Sequence, residues 1–148
     1  KPTIEKKLEF FGSQVFYSAI VPDDLEMIKS EIIKSKEMGT ELIIVTGGMS
    51  VDPDDQTPKA IRDAGTNIVT YGTPILPGAM LLFGYLDNIP VFGLPANIIF
   101  APTTAFDLII PRVLAGEKIQ KEDITKLGYG GLCLNCEICT FPDCHFGK

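Results

Sequence analysis

Short continuous apolar runs alternate along this chain with segments whose apolar residues recur at helical spacing, which predicts strands and helices in alternation. Residues 42–45 form a continuous apolar run, of the kind that a strand buried on both faces requires. Residues 25–33 instead carry leucine and isoleucine at helical spacing, after an Asp23-x-x-Glu26 sequence typical of a capping box. The order of strands and helices in residues 14–71 predicts a sheet of parallel strands with helices on both faces.

The remaining elements are predicted from the same periodicities and from the glycines and prolines that separate them. Strands are predicted at residues 14–21, 42–45, 67–71, 79–86 and 90–94. Helices are predicted at residues 1–11, 23–39, 58–64, 98–114 and 121–127, the fourth of them interrupted or kinked by Pro102 and Pro111. We therefore predict an α/β fold with a mostly parallel sheet in residues 1–127, followed by a small cysteine-rich tail in residues 128–148.

Composition and charge exclude several functional classes. Of the 148 residues, 45% are hydrophobic and 22% are charged, which is typical of about one folded, soluble domain. A net charge of -6 without a cluster of lysines and arginines argues against a nucleic-acid partner. No apolar run reaches the ~18 residues of a membrane span and no signal peptide is recognised, so we expect a cytoplasmic protein without a membrane partner. Because the chain begins with Lys1 rather than methionine, we expect a first strand to be missing.

The sequence TGGMSVDPDDQTP, residues 46–58, joins the apolar run 42–45 to the start of a helix. Its two glycines allow positive φ angles or a close approach of the backbone to a ligand, and its serine and aspartates add polar groups after the strand. Ligands bind at this position in open α/β sheets. Thr57 and Pro58 are suited to the N-cap and to the first helical position. A solvated turn would have the same composition, so the pattern alone leaves both interpretations open.

All four cysteines fall in one short segment with the spacing C-x2-C-x2-C-x4-C, at Cys133, Cys136, Cys139 and Cys144. This spacing predicts a metal site, either an iron–sulfur cluster or a four-thiolate Zn2+ site. Iron–sulfur is favoured because the first three cysteines are evenly spaced, whereas structural zinc sites usually pair two separated knuckles. The alternative is two disulfides, which a cytoplasmic location disfavours. His145 is interpreted as a neighbour of the site, and a single histidine does not support a histidine-based catalytic triad.

Three segments of the chain together resemble one protein family. They are TGGMSVDPDDQTP, YGTPILPGAMLLFG and PVFGLPANIIFAPTTAFDLIIPRVLAG. Over roughly residues 12–116 the chain is similar to the molybdopterin-binding domain of molybdenum-cofactor biosynthesis proteins, and its tail looks like that of stand-alone prokaryotic members. The resemblance implies the fold of that domain and the binding of molybdopterin or molybdenum cofactor in cofactor biosynthesis or delivery. If the chain is an enzyme, the resemblance implies a transferase of the molybdopterin adenylyltransferase or molybdotransferase type.

The resemblance also implies roles for residues in the three segments. The backbone of the first segment would hold the pterin phosphate, and Asp55 would support metal or adenylate chemistry with Mg2+. The implied ligand-binding residues are Thr46, Gly47, Gly48, Ser50, Pro77, Gly78, Leu94, Pro95, Ala96 and Asn97. Amide N–H groups at a helix start attract an anion even on an acidic protein, and an aspartate beside that anion needs a divalent cation between them. The chain departs from the family pattern at Ala79, where lysine is usual, and at residues 96–98, where Gly-Asn-Pro is usual.

The resemblance further implies a homo-oligomer and, as partner, a molybdoenzyme or tungstoenzyme that receives the cofactor. Two other hypotheses remain open. In the first, the α/β domain is only a scaffold for redox chemistry or metal sensing by the cysteine tail. In the second, the chain is an assembly domain that self-associates through the apolar residues 79–86 and binds no ligand.

Overall fold

Six α-helices and four β-strands make up the part of the chain that the structure, a computed structural model, describes, namely residues 2–50 and 52–148. The strands are β1 (Ile43–Thr46), β2 (Asn67–Tyr71), β3 (Leu82–Leu86) and β4 (Ile89–Leu94). The helices are α1 (Pro2–Phe10), α2 (Leu25–Glu37), α3 (Thr57–Asp63), α4 (Asn97–Phe100), α5 (Ala105–Leu114) and α6 (Lys121–Lys126), and a 3-10 turn follows at Leu127–Gly130. Lys1, at which the first predicted helix begins, lies outside the described residues.

The strands form one mixed sheet in the order β1-β4-β3-β2. β1 and β4 are parallel, with Thr46 opposite Leu94, whereas β3 is antiparallel to both of its neighbours. The predicted α/β class is confirmed, but the sheet is mixed rather than mostly parallel. The reason is the two-residue connection between β3 and β4 at residues 87–88, which is too short for the crossover that a parallel pair requires.

The strand predicted at residues 14–21 is not formed, because residues 13–22 adopt neither helix nor strand. Val15, Phe16 and Ile20 from this segment are exposed. Aromatic and β-branched residues favour a strand only where a neighbouring strand supplies hydrogen bonds and a packing surface, and this segment pairs with no strand of the described sheet. The sheet of the described residues therefore begins with β1.

The two faces of the sheet are covered by separate apolar clusters. The larger cluster includes residues of α1, α5 and α6 and contains Phe83, Phe92 and Phe106. The ring centroids of Phe83 and Phe92 lie 4.7 Å apart, and those of Phe92 and Phe106 lie 5.2 Å apart. The smaller cluster includes residues of α2 and α3 and contains Leu82 and Val91. Successive residues of β3 and of β4 thus belong to opposite faces, as pleated strands require, and the prediction of helices on both faces is confirmed.

Residues 79–86, which the assembly hypothesis assigned to self-association, are part of this core. Leu81, Leu82 and Phe83 are fully buried, and β3 lies between β2 and β4 in the interior of the sheet. Their hydrophobic side chains pack within the chain itself and are not available to a second copy. This finding contradicts an oligomer interface at residues 79–86.

The helix ends follow local signals with small shifts from the predicted positions. α2 is capped by Asp24 rather than Asp23, and the Asp24 carboxylate accepts a hydrogen bond from the Met27 N–H at 2.9 Å. Pro102 lies between α4 and α5, whereas Pro111 lies inside α5.

None of the helices in the described ranges is both long and apolar enough to span a bilayer.

Candidate ligand site and cysteine tail

Three loops meet at one end of the sheet. β1 and β4 are parallel and end in register, because Thr46 lies opposite Leu94. β3 is antiparallel to β2 and β4, so β2 ends and β3 begins at the same end. The loops at this end are residues 47–56, 72–81 and 95–104, called here the first, second and third loop. Open α/β sheets bind ligands at this position, and the predicted ligand-binding residues lie in these loops or at the strand ends that precede them.

The backbone of the first loop approaches two polar side chains at Gly48. Gly48 has a φ angle of 56°, and a Cβ atom there would lie 2.7 Å from Thr57 Oγ1 and 2.9 Å from Asp23 Oδ1. A side chain at this position would collide with both groups, so only glycine fits. Thr57, predicted as an N-cap, is instead the first residue of α3 and is buried. The approach of Asp23 to the first loop was not predicted from the sequence.

The carboxylate of Asp55 closes the first loop. Its Oδ2 atom accepts hydrogen bonds from the Ser50 N–H at 2.6 Å and from the Ser50 hydroxyl at 2.7 Å. Asp52 instead accepts a hydrogen bond from the Asp54 N–H at 3.0 Å. Asp55 is thus the aspartate of this loop that holds Ser50, and one of the N–H groups predicted to bind phosphate already donates to a carboxylate.

Tyr71 connects the end of β2 with the first loop. Its hydroxyl lies 3.5 Å from the carbonyl oxygen of Ser50, at the outer limit of a hydrogen bond. Burial raises the pKa of Tyr71, and the negative charge of Asp55 raises it further. The phenol therefore stays protonated at neutral pH and offers a hydrogen-bond donor near the loop. The sequence predicts Tyr71 as the last residue of a strand, and its place at the carboxyl end of β2 is the signal for this role.

The second loop packs against the start of α5. Gly78 has a φ angle of 111°, and a Cβ atom there would lie 2.7 Å from the Cβ atom of Ala105. The Ala105 N–H donates to the Pro77 carbonyl at 2.9 Å, and the Thr73 hydroxyl donates to the Gly78 carbonyl at 3.3 Å. These contacts hold Pro77 and Gly78 next to the helix that follows the third loop.

The third loop begins with buried residues and continues with exposed ones. Leu94 and Pro95 are buried, and Leu94 belongs to the larger apolar cluster. Ala96 and Asn97 are exposed, and α4 begins at Asn97. Of these four predicted residues, Ala96 and Asn97 therefore present their side chains to solvent, while Leu94 and Pro95 support the loop from the core.

The cysteine tail is attached to the second loop. The Leu76 N–H donates to the Gly131 carbonyl at 2.6 Å, and the Cys133 N–H donates to the Leu76 carbonyl at 2.8 Å. These bonds accompany an isolated parallel bridge between Leu76 and Leu132. Near the other end of the tail, Phe146 is buried in the larger apolar cluster. The tail is therefore fixed at both ends to the α/β domain, and its first contact is with the residue directly before the predicted site residues of the second loop.

All four cysteines line one small cavity of about 30 Å³, and all four are free thiols. The two disulfides considered from the sequence are thus not formed. Cys133 and Cys144 are half-buried, whereas Cys136 and Cys139 are exposed. Thr103 of the third loop lines the same cavity, and its hydroxyl lies 3.6 Å from Cys139 Sγ. His145 also lines the cavity, as a neighbour of the cysteines.

The Cys139 thiol has a lowered pKa. Its main cause is a hydrogen bond from the Phe141 backbone, and the Thr103 hydroxyl is the second cause. A lowered pKa favours the thiolate, which is the form that binds metals. In the described ranges, however, no three Cys, His, Asp or Glu side chains are grouped so that they could hold a metal ion. Neither the predicted tail metal site nor a Mg2+ site at the first loop is preformed, and the four thiols share a cavity without converging on one point.

Comparison with known proteins identifies relatives for most of the chain. A family model described as "Probable molybdopterin binding domain" matches residues 1–115. A Methanocaldococcus jannaschii protein named "Putative molybdopterin biosynthesis protein" is 33% identical over 99 residues, which are 67% of this chain and 24% of that protein. A molybdopterin molybdenumtransferase of Haemophilus influenzae is 30% identical over 122 residues, which are 81% of this chain and 30% of that protein.

A solved structure shares the fold. It is a molybdopterin biosynthesis protein from Pyrococcus horikosii, with a TM-score of 0.60 at 23% identity, and the match covers 76% of this chain and 27% of that one. The two sequence relatives are much longer than their matched segments, so this chain covers only 24% and 30% of their respective lengths. The family match extends from the first residue to the end of α5 and includes all three loops. The chain therefore belongs to the family described as "Probable molybdopterin binding domain".

Proposed function

We propose that this chain binds molybdopterin, or the molybdenum cofactor made from it, at the end of the sheet where the three loops meet, in cofactor biosynthesis or delivery. One observation carries the proposal. The three loops leave the same end of the sheet, where Tyr71 at the end of β2 lies 3.5 Å from the Ser50 carbonyl and Gly78 packs on Ala105 at the start of the helix after the third loop. Membership of the family over residues 1–115 supports the same ligand.

In this proposal the first loop binds the phosphate of the pterin. The donors are the backbone N–H groups of Thr46, Gly47 and Gly48, since glycine lets the backbone come close to an anion and successive N–H groups form an anion-binding concavity. The Ser50 N–H donates to Asp55 at 2.6 Å in the free chain, so it would join these donors only by leaving that carboxylate. The second and third loops form the walls around the pterin ring, with Pro77, Gly78, Leu94, Pro95, Ala96 and Asn97. Among these, the exposed Asn97 amide can both donate and accept hydrogen bonds at the edge of the ring.

Asp55 is proposed to hold Mg2+ next to the bound phosphate. Its carboxylate lies 2.6 Å from the Ser50 N–H, so a phosphate bound to this loop faces a negative charge. Mg2+ is usually bound by one or two carboxylates together with phosphates of the substrate, which agrees with a loop that has no complete metal site among the described residues. The ion would neutralise this repulsion. Transferase turnover of the molybdopterin adenylyltransferase or molybdotransferase type is an extension of this proposal, with Asp55 as the catalytic residue.

The test is an anaerobic calorimetric titration of the full chain with molybdopterin, with and without Mg2+. Asp55→Asn removes the charge but keeps a side-chain oxygen that can accept a hydrogen bond from Ser50. Asp52→Asn is the matched control, because the Asp52 carboxylate accepts its hydrogen bond from the Asp54 N–H. Asp52 contacts Ser50 only through its backbone N–H, which donates to the Ser50 hydroxyl at 3.2 Å and is kept in the variant. We expect saturable binding that Mg2+ strengthens in the wild type and in Asp52→Asn, and binding without a Mg2+ effect in Asp55→Asn.

Each alternative outcome identifies the part of the proposal that is wrong. A wild-type chain that does not bind molybdopterin under either condition would refute the proposed ligand. Loss of binding by Asp55→Asn both with and without Mg2+ would make Asp55 a structural cap of the loop. A Mg2+ effect of equal size in all three proteins would exclude Asp55 as the residue that holds the ion.

A second candidate function is favoured by the four free thiols around one cavity. In this alternative the chain is an iron–sulfur or zinc protein, and the α/β domain is a scaffold for redox chemistry or sensing by the tail. The proposed ligands are Cys133, Cys136, Cys139 and Cys144. Anaerobic reconstitution with Fe2+ and sulfide, followed by visible absorption, tests the iron–sulfur form. A colourless protein with one Zn2+ per chain would exclude the redox version, and a protein that retains neither metal would exclude both versions.

We also propose that the chain acts in the cytoplasm as a homo-oligomer and passes its ligand to a molybdoenzyme or tungstoenzyme. The oligomer and the recipient enzyme rest on what the sequence resemblance implies, and the cytoplasmic location is the expectation given under Sequence analysis. Light scattering coupled to size-exclusion chromatography measures the mass with and without molybdopterin. A monomer under all conditions would contradict the oligomer.

A further inference from the structure

The cysteine tail contacts two of the three loops of the candidate ligand site. It is hydrogen-bonded to both the N–H and the carbonyl of Leu76 in the second loop, at 2.6 Å and 2.8 Å. It reaches the third loop through Cys139, whose sulfur lies 3.6 Å from the Thr103 hydroxyl. Thr103 is buried, so it cannot follow the tail without moving its own surroundings. The tail therefore has a direct contact with one residue of each of these two loops.

A metal bound by the four thiols would have to move the tail. Thiolate–metal bonds are about 2.3 Å long for zinc, so four ligands must converge on one point. The cysteines line a common cavity but do not converge, since the described residues include no group of three metal ligands. Residues 133–147 contain only turns, bends and irregular backbone, so no helix or strand would have to break for the thiols to converge. Metal binding would contract this segment while its start stays bonded to Leu76.

We propose that a thiophilic metal bound by Cys133, Cys136, Cys139 and Cys144 orders the second and third loops, so that the tail metal and the ligand at the sheet end bind cooperatively. The inference rests on the proposed function, and it adds a means of regulating the same site. A ligand that binds to loops already ordered by the metal loses less conformational entropy. Because such coupling is reciprocal, the ligand strengthens metal binding by the same factor.

A purely structural role of the tail makes a different prediction. Phe146 is already buried in the larger apolar cluster, and it anchors the end of the tail without any metal. A tail that only stabilises the fold would protect the amides of the loops from hydrogen exchange equally with and without metal. The response of the loops to metal is therefore the quantity that separates the two roles.

The experiment is amide hydrogen exchange of the full chain, first metal-free and then with one equivalent of Zn2+. The informative amides are those of Leu76, Cys133 and Ala105, whose hydrogen-bond acceptors lie in the tail or in the second loop. We expect Zn2+ to slow their exchange about tenfold, within the usual range of coupling between two sites. Amides of α2, which packs on the opposite face of the sheet, serve as the internal reference and should be unchanged.

Two variants identify the contacts that carry the effect. The double variant Cys136→Ser/Cys139→Ser removes the two exposed thiols and keeps the two that pack against the core, so it should show no response to Zn2+. Thr103→Val keeps all four thiols but removes the hydroxyl that contacts Cys139. This variant should bind Zn2+ and lose the slowing at Ala105 while keeping the slowing at Leu76.

The outcomes distinguish this inference from the functions on which it rests. A chain that binds Zn2+ without any change in loop exchange would overturn the coupling and leave the metal site intact. A chain that binds no Zn2+ would overturn the coupling and the zinc form of the tail, whereas the molybdopterin titration would still test the ligand site independently. Molybdopterin affinity should be about tenfold higher with Zn2+ bound, and equal affinities would refute the cooperativity.

Discussion

Replacing Gly78 with alanine tests whether the second loop packs against α5. A Cβ atom at this position would lie 2.7 Å from the Cβ atom and 3.0 Å from the nitrogen of Ala105. Ala105 is fully buried at the start of α5, and neither of these atoms can swing away as the end of a long side chain could. The loop and the helix would have to separate, which would strain or break the 2.9 Å hydrogen bond from the Ala105 N–H to the Pro77 carbonyl.

The cost of this substitution has three parts. Alanine at a positive φ angle costs about 1–2 kcal/mol. Overpacking against a helix start costs about 1–3 kcal/mol more, and a lost hydrogen bond costs about 1 kcal/mol. We therefore expect Gly78→Ala to lower the free energy of unfolding by about 4 kcal/mol. A domain with a stability of about 5–15 kcal/mol remains folded after a loss of this size unless it lies at the lower end of that range.

Gly116→Ala is the matched control. Gly116 also has a positive φ angle, 84°, but no atom of the described residues lies within 4 Å of a Cβ atom placed there. This variant carries the backbone strain without the collision, so we expect a loss of about 1–2 kcal/mol. Urea unfolding followed by far-ultraviolet circular dichroism measures both losses, as shifts in midpoint at an unchanged m value.

The comparison of the two variants can refute the reasoning. If Gly78→Ala and Gly116→Ala lose the same stability, the second loop does not approach Ala105. The close contact between the second loop and the start of α5 would then be refuted. A molybdopterin titration of the same two proteins adds a functional readout. We expect Gly78→Ala to bind more weakly and Gly116→Ala to bind like the wild type, since Gly116 lies beyond the end of α5 and away from the three loops.

Three further predictions concern the stability of the helices and the core that surround the site. Arg112 holds the pKa of Glu117 in the folded chain below its ordinary value. The ion pair therefore stabilises the fold at any pH above the pKa of Glu117 in the unfolded chain. This stabilisation is lost as the pH falls through the lower pKa of Glu117 in the folded chain. The unfolding midpoint of Glu117→Gln should therefore fall less steeply at acidic pH than that of the wild type. The same dependence on acidic pH in both proteins would contradict the pairing. Asp107→Ala removes the carboxylate 2.6 Å from the mostly buried Lys7 ammonium and the capping box of α5, and should cost about 2–3 kcal/mol. Thermal melts should show this as a fall in Tm of roughly 4–12 °C, and no fall would contradict the buried pair. Phe92→Leu, in the fully buried ring cluster, should cost about 1–2 kcal/mol in urea unfolding, and a neutral result would contradict the close packing of the rings.

Elements with a distinct local pattern between clear stop signals could be predicted from the sequence alone. β1, β2 and α2 lie within one or two residues of their predicted bounds, because each combines an apolar run or a helical spacing with a nearby cap or glycine. Residues 14–21 have a strand-like composition too, but they form no strand. A strand needs a partner, and whether a partner edge is free is a property of the whole fold rather than of eight residues.

The arrangement of the site was only partly accessible from the sequence. The three segments that carry the family resemblance contain the loops that meet at one end of the sheet, whereas the roles of the individual residues stay predictions. Contacts such as Leu76 with Leu132 join residues far apart in the chain, and no local pattern marks them. The boundary between residues 127 and 128 also stays a prediction, since Cys133 and Phe146 pack against the larger cluster of the α/β domain.

The bond between Asp55 and Ser50 bears on the proposal that this acidic loop binds a phosphate. The Ser50 N–H and hydroxyl already donate to a negatively charged oxygen, at 2.6 Å and 2.7 Å, so the loop is held in a conformation whose donors face an anion. Such preorganisation lowers the entropy that a phosphate would lose in ordering the loop. The same carboxylate repels that phosphate at short range, where screening by salt is weak. Most of the -6 net charge is more distant, and the repulsion from exposed charges farther away than about 8 Å is largely screened by salt. Under the proposed function, we therefore expect the affinity for a phosphate at this loop to depend on Mg2+ at Asp55 more than on ionic strength.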